Sequence, residues 1–372
     1  MQRNRLLMGI ISLMPFCAAA AAPAAAPRYT ITDVSASGFA GAEYRATALN
    51  NNGDVAGYSS MGELSTYRAG NFLFSGGTLR HDVAPADFRI GVINNTGDFA
   101  GSIPIRQGIN HAALFRDGVV TDLDPTLWRG YSSSALAMSN RGHVVGVTYG
   151  TTGDHRAFLH QDGVLTVLGT LGGSTSSASA VNDRGDVTGR AQTREQTTHA
   201  FLYSDGRMID LGTLGGRGSD GFGINDHGDV VGLASTGRVN ERGEPIADAF
   251  LYSGGQMRDL GALGSFTQNY AFDINNRGQV VGSATSQSGG ASAPFLYEGG
   301  ELVDLRTLID SSRWQLRGAR SINEAGQILA VAENRVTGRF HPLLLTPIPE
   351  PGAAGLLVAL GVLLRPPLRR SA

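Results

Sequence analysis

Leu49-Asn50-Asn51-Asn52-Gly53-Asp54-Val55-Ala56-Gly57 reads as an apolar residue, Asn, two variable residues, Gly, a polar residue, two apolar residues and Gly. The same grammar returns around Gly97, Gly142, Gly185, Gly228 and Gly278, and last at Ile322-Asn323-Glu324-Ala325-Gly326-Gln327-Ile328-Leu329-Ala330. Seven copies spaced 43 to 50 residues apart have the period of a four-stranded propeller blade. Asn and Gly tolerate positive φ, so Asn-x-x-Gly is a tight hairpin turn between two short strands, as between 271–274 and 279–283.

A second signature follows each copy, clearest at His199-Ala200-Phe201-Leu202-Tyr203-Ser204-Asp205-Gly206-Arg207-Met208-Ile209-Asp210-Leu211-Gly212. Relatives begin at Arg156 and Asp248, and looser ones at Gly70, His111 and Ala293. It supplies a third strand and, past a Gly-containing turn, a fourth. With its His-Ala-Phe at 199–201, the chain resembles the HAF-repeat family of extracellular bacterial proteins over nearly all of its length. Two hairpins repeated seven times suit radial repetition, which leaves only short, protected edges.

The seventh unit reaches a third strand at 341–347 and stops. Tyr29-Thr30-Ile31-Thr32-Asp33-Val34 has the fourth-strand pattern of 207–211 and no third strand of its own. The expectation is an all-β fold: a seven-bladed β-propeller over residues 28–346, its ring closed by the N-terminal strand completing the last blade. A linear β-solenoid is the alternative, and it gives no reason for that exchange.

The two ends read as addresses. Arg3 and Arg5 precede the apolar run 6–16, and alanines follow from 18 to 26, which is the layout of a secretory signal peptide over 1–26. Phe16 before Cys17 argues against lipidation there. At the C-terminus, 347–372 places Pro349-Glu350-Pro351 before the uncharged run 352–364, followed by Arg365, Arg369 and Arg370. This resembles the PEP-CTERM sorting segment of Gram-negative surface proteins. The resemblance implies an exosortase-type sorting protease as partner, transient membrane insertion of the tail, and a final place on the cell surface or in the extracellular matrix. A run of 13 residues is short of the ~20 that span a bilayer comfortably as a transmembrane helix. A permanent C-terminal anchor or a merely apolar tail is the alternative.

Composition excludes several chemistries. All 30 basic residues are Arg, so lysine-dependent mechanisms are out. A formal charge of −2 offers no footprint for nucleic acid, and Cys17, the only cysteine, lies in the leader. Asn-Asp-x-Gly-Asp at 182–186 and 225–229 has the oxygen donors of a calcium loop, but three of the seven repeat copies lack the final carboxylate. That pattern is read as turn chemistry, and no metal or cofactor is expected. Arg184-Gly185-Asp186 is likewise explained by the turn.

In an up-and-down blade the first-to-second and third-to-fourth turns share one face; the other carries the longer connections at 124–136, 233–248, 265–270 and 306–320. Binding residues collect on irregular loops over a rigid scaffold. Trp128, Arg129, Tyr131, Tyr270, Trp314 and Arg317 fall there and are the candidate ligand-binding residues, though aromatics more often pack than bind, and filling the space between blades is the other role for both tryptophans. Asp124, Glu244 and Asp310 are the carboxylates available to a glycosidase or lyase, and no catalytic motif singles them out. The leading expectation is a non-enzymatic, exported surface or matrix propeller that binds exopolysaccharide or another surface partner. The alternative is a carbohydrate-active propeller enzyme.

Overall fold

The computed structural model describes residues 29–349 except 40, 61–69, 125–131, 151–152, 241 and 287–291. The signal peptide, the sorting segment from residue 350 onward (Glu350, Pro351, Arg365, Arg369 and Arg370) and the candidates Trp128, Arg129 and Tyr131 lie outside them. Among the described residues no helix is long and apolar enough to cross a membrane.

Among the described residues twenty-eight strands form seven four-stranded antiparallel sheets, the blades of a seven-bladed β-propeller. Blades 1 to 6 each use four consecutive strands, the first blade running from Glu43–Leu49 to Thr78–His81 and the sixth from Gln268–Ile274 to Glu301–Asp304. Blade 7 combines Trp314–Ile322, Ile328–Asn334 and Phe340–Pro347 with the N-terminal Tyr29–Asp33 as its outermost strand. The register of that closure runs from Tyr29 opposite Pro347 to Asp33 opposite Leu343.

First strands of successive blades pack on one another, so they form the inner wall. Every inner strand carries a β-bulge against its partner, for example between Ala46 and Ala48, Gly221 and Gly223, and Ala271 and Asp273. A bulge increases local twist, which lets seven sheets diverge from one axis.

Both signatures are consumed by this architecture. In Phe72, Phe158, Phe201, Phe250 and Phe295 the third-strand aromatic is fully buried between blades. Each stands opposite the last Gly of the first signature, as Gly232 opposite Phe250 and Gly282 opposite Phe295. A Cβ at those two glycines would lie 2.8 and 2.5 Å from the facing ring. In blade 7 the pair is Ala330 opposite Leu343, a smaller side chain admitting a methyl. The Ala before the aromatic, as in Ala157, Ala200 and Ala249, is also fully buried.

The hairpin turns do more than reverse the chain. Their glycines sit at φ between 74° and 86°, as turn chemistry requires. The residue after the signature Asn donates its backbone N–H to the side chain at the same position of the next blade. Asn51 donates to Asn95 (2.8 Å), Asn95 to Asn140 (3.0 Å), Asn140 to Asp183 (2.7 Å) and Asp183 to Asp226 (2.9 Å). Asp226 donates to Asn276 (2.7 Å), Asn276 to Glu324 (3.1 Å) and Glu324 back to Asn51 (3.0 Å). Seven bonds thus close a latch around the axis. Beneath it the Nδ2 of Asn50, Asn182, Asn225, Asn275 and Asn323 donates to the next blade's carbonyl at 2.9–3.3 Å. Ser139 takes the Asn position in blade 3. Asp273, unique to blade 6 at its position, accepts from the Ile322 N–H of blade 7 (2.9 Å), and burial pushes its carboxyl up to about 7.

Candidate functional site

The face opposite the latch differs from its sequence reading in one respect. Strands continue past the repeat, so the irregular connections are shorter. Blade 5 extends Val230–Val239 and Pro245–Ser253 through most of the expected loop 233–248. Its tip, Asn240 to Glu244, is another Asn-x-x-Gly turn, in which the Asn240 Oδ1 accepts from the Arg242 and Glu244 N–H groups. Glu244 closes that turn by accepting from the Asn240 Nδ2 at 2.7 Å, and Asp310 caps its own with the Ser312 N–H at 2.9 Å. Asp124 is buried at the end of blade 2.

The His of the His-Ala-Phe signature has a structural partner on this face. His111 pairs with Asp122 (2.9 Å), His199 with Asp210 (2.9 Å) and His341 with Asp33 (3.1 Å). The same Asp accepts from the N–H two residues on, as Asp210 does from Gly212 at 2.8 Å, and so turns the chain from one blade into the next. In blade 5 the pair becomes Asp248 and Asp259, bridged by Arg238. Burial and the facing Asp259 raise the Asp248 carboxyl, while Arg238 opposes them.

Two of the sequence candidates prove to be engaged internally. Trp314 is only 5% exposed, packing edge-on against His341 at 5.1 Å with Arg313 over its ring. A narrow crevice of about 110 Å³ beside it is lined by Arg306, Ile309 and Arg335. Arg317 is ion-paired with Glu333 at 2.5 Å. Packing is therefore what Trp314 does, within the buried cluster it shares with Tyr29, Leu316 and Leu343.

Tyr270 is different. It sits half-buried on the inner strand of blade 6 and stacks on Phe272 (centroids 6.1 Å apart, 15° between planes). Phe272 in turn meets Phe222 of blade 5 at 6.0 Å. An inner strand is flanked by neighbouring blades, so what it exposes faces the axial channel. Phe222, Tyr270 and Phe272 thus make an aromatic arc on one side of the axis. Sequence reasoning missed Phe222 and Phe272 because a single aromatic between glycines and alanines reads as core. The usable signal was their offset: both precede the turn Asn by three residues, where other blades carry Thr47, Gly91, Leu136, Ser179 and Arg320.

Beside this arc, a cavity of about 370 Å³ opens between blades 4 and 5, lined by Gln196, Thr198, Arg217, Ser219, Asp220 and Ser235 among others. Its walls carry hydroxyls, an amide and both charges. Asp220 precedes Phe222 by two residues on the same inner strand. Its Oδ1 is buried with no hydrogen-bond partner, 4.0 Å from the Arg190 guanidinium. Burial raises its carboxyl, with Arg190 pulling the other way. Ser219 is occupied structurally, accepting from the Ala200 N–H at 2.8 Å and donating to the Gly212 carbonyl. No group of three or more potential metal ligands occurs among the described residues.

No curated protein matches the sequence. The family model described as "Protein of unknown function (DUF3466)" matches residues 129–341, from the entry to blade 3 into blade 7. Among solved structures, the β-propeller domain of the Trilobed protease from Pyrococcus furiosus superposes with a TM-score of 0.55 at 11% identity, covering 82% of this chain and 93% of that one. The acylaminoacyl peptidase of Pyrococcus horikoshii gives 0.52 at 11% identity, with 86% of this chain covering 54% of that one. These likenesses are of fold. The Pyrococcus furiosus domain is described as having an open velcro topology, whereas here Tyr29–Asp33 is hydrogen-bonded into blade 7.

Proposed function

This chain belongs to the DUF3466 family of proteins of unknown function, and from that premise we propose that it is an exported, non-enzymatic surface or matrix propeller that binds the exopolysaccharide of its cell. The observation that carries the reading is the aromatic arc of Phe222, Tyr270 and Phe272, adjoining a cavity walled with hydroxyl, amide and charged groups. Aromatic faces pack on the C–H faces of sugar rings, and polar groups around them fix orientation. Export rests on the leader-like residues 1–26, and sorting by an exosortase-type protease on Pro349-Glu350-Pro351 and the arginines at 365, 369 and 370.

Purified protein is expected to be retained on exopolysaccharide isolated from the producing cells without shortening it; failure of retention overturns the reading. Asp220 favours a second reading. A half-buried carboxyl raised by burial in a polar cavity has the character of a general acid. Release of oligosaccharides that D220N abolishes would establish that alternative, a carbohydrate-active enzyme. Sorting has its own check: a C-terminal peptide containing Arg369 and Arg370, recovered on surface protein by mass spectrometry, contradicts processing.

A further inference from the structure

The inner wall is asymmetric. Continuing round the ring from the aromatic arc of blades 5 and 6, the consecutive blades 7, 1 and 2 place Arg320, Arg45 and Arg89 on their inner strands, all three exposed. Arg45 and Arg89 precede the turn Asn by five residues, the position of Tyr270 and Asp220; Arg320 precedes it by three, the position of Phe222 and Phe272. None of the three arginines forms an ion pair among the described residues. The acidic groups on the inner strands leave this charge largely uncompensated. Asp220 lies beside Arg190, Asp273 is engaged by the Ile274 and Ile322 N–H groups, and Glu43 is first in its strand. A chain of formal charge −2 thus concentrates cations where its axis opens.

We propose that the axial channel takes an acidic saccharide, the sugar ring stacking on the Phe222, Tyr270 and Phe272 arc while its carboxylates meet Arg45, Arg89 and Arg320. This deepens the reading of a glycan-binding propeller and rests on it. Guanidinium groups recognise carboxylates by paired N–H donors, and a partly enclosed channel strengthens that attraction over bulk water. Three exposed cations and three aromatics are too few to track a nucleic-acid backbone against a net negative chain, so acidic sugar is the better match.

The test is calorimetric titration of the full chain with an oligogalacturonate, a neutral maltooligosaccharide and a single-stranded oligonucleotide as probes, at low and physiological ionic strength. The oligogalacturonate is expected to bind tightest and to weaken as salt rises. The R45Q/R89Q pair should lose about tenfold or more in its affinity. R207Q, on the exposed outermost strand of blade 4, should change nothing, and thermal melts confirm that each variant is folded. Equal affinity for acidic and neutral sugars, an unchanged R45Q/R89Q, or tighter binding of the oligonucleotide overturns this inference. Undiminished neutral-sugar binding beside such a result leaves the broader reading standing, whereas no binding of any saccharide removes both.

Discussion

The two faces of this ring use their polar side chains in opposite ways. On the hairpin face the Asn-x-x-Gly turns hand hydrogen bonds from blade to blade until Glu324 returns them to Asn51. On the other face the His–Asp pairs hold the chain locally, and between them strands of unequal length leave a cavity and an unsatisfied Asp220. Regular spacing therefore marks scaffold, and departure from it marks where the surface opens. Substitutions should separate the two: on the latch side they should cost stability and spare binding, and at the axis they should do the reverse.

Removing residues 29–33 should have the largest effect. It strips the outer strand from blade 7 and exposes the edge of Phe340–Pro347, and a cooperative thermal transition should be lost or sharply lowered. A melt unchanged by the deletion would mean that closure is idle. Next, N225A removes a side chain that is 3% exposed, accepts from the His227 and Asp229 N–H groups and donates to the Asn275 carbonyl. Leaving those buried groups unpaired should cost about 1–3 kcal/mol in denaturant unfolding. G282A brings a methyl against the Phe295 ring, and such overpacking typically costs about 1–3 kcal/mol; a neutral G282A would contradict the account of that glycine.

Asp273 supplies a pH signature for the latch side. Its folded carboxyl stands at about 7, above the unfolded range, so its favourable contribution is present at low pH and is lost as pH rises through about 7. The melting temperature should therefore rise as pH is lowered from about 8 to about 5, and D273N should remove that increment. Asp98 and Asp186 act in a different window: burial opposes them, but hydrogen bonds from Arg116 and Asn94, and from Asn182 and Arg184, hold their carboxyls below the usual range. Their contribution is lost only as pH falls through those lower values. The smallest stability change is expected for D220N, which relieves a buried charge; its melt should be equal or slightly higher, while binding at the cavity changes.

Much of the fold was legible because seven copies of one grammar can be counted, and because the chain ends one strand short where it begins with a strand to spare. The latch was not. Asn in a turn already has a local explanation, its side chain accepting the N–H groups two and four residues on, and nothing in one unit reveals that residue 51 meets residue 95 until the ring brings them together. The candidate site was legible only at Tyr270. Trp314 attracted notice by its rarity, yet it packs against His341. Phe222 and Phe272 matter through their offset from the turn, visible once blades are aligned on one another rather than along the chain.

Hydrogen exchange of the full chain, with and without the producing cells' exopolysaccharide, puts the division between the faces to the most direct test. Protection confined to 217–222 and 268–272 with the neighbouring inner strands, and unchanged exchange at the turns around Asn51, Asp183 and Glu324, is the expected result. Protection at those turns instead, or none anywhere in the ring, would contradict it.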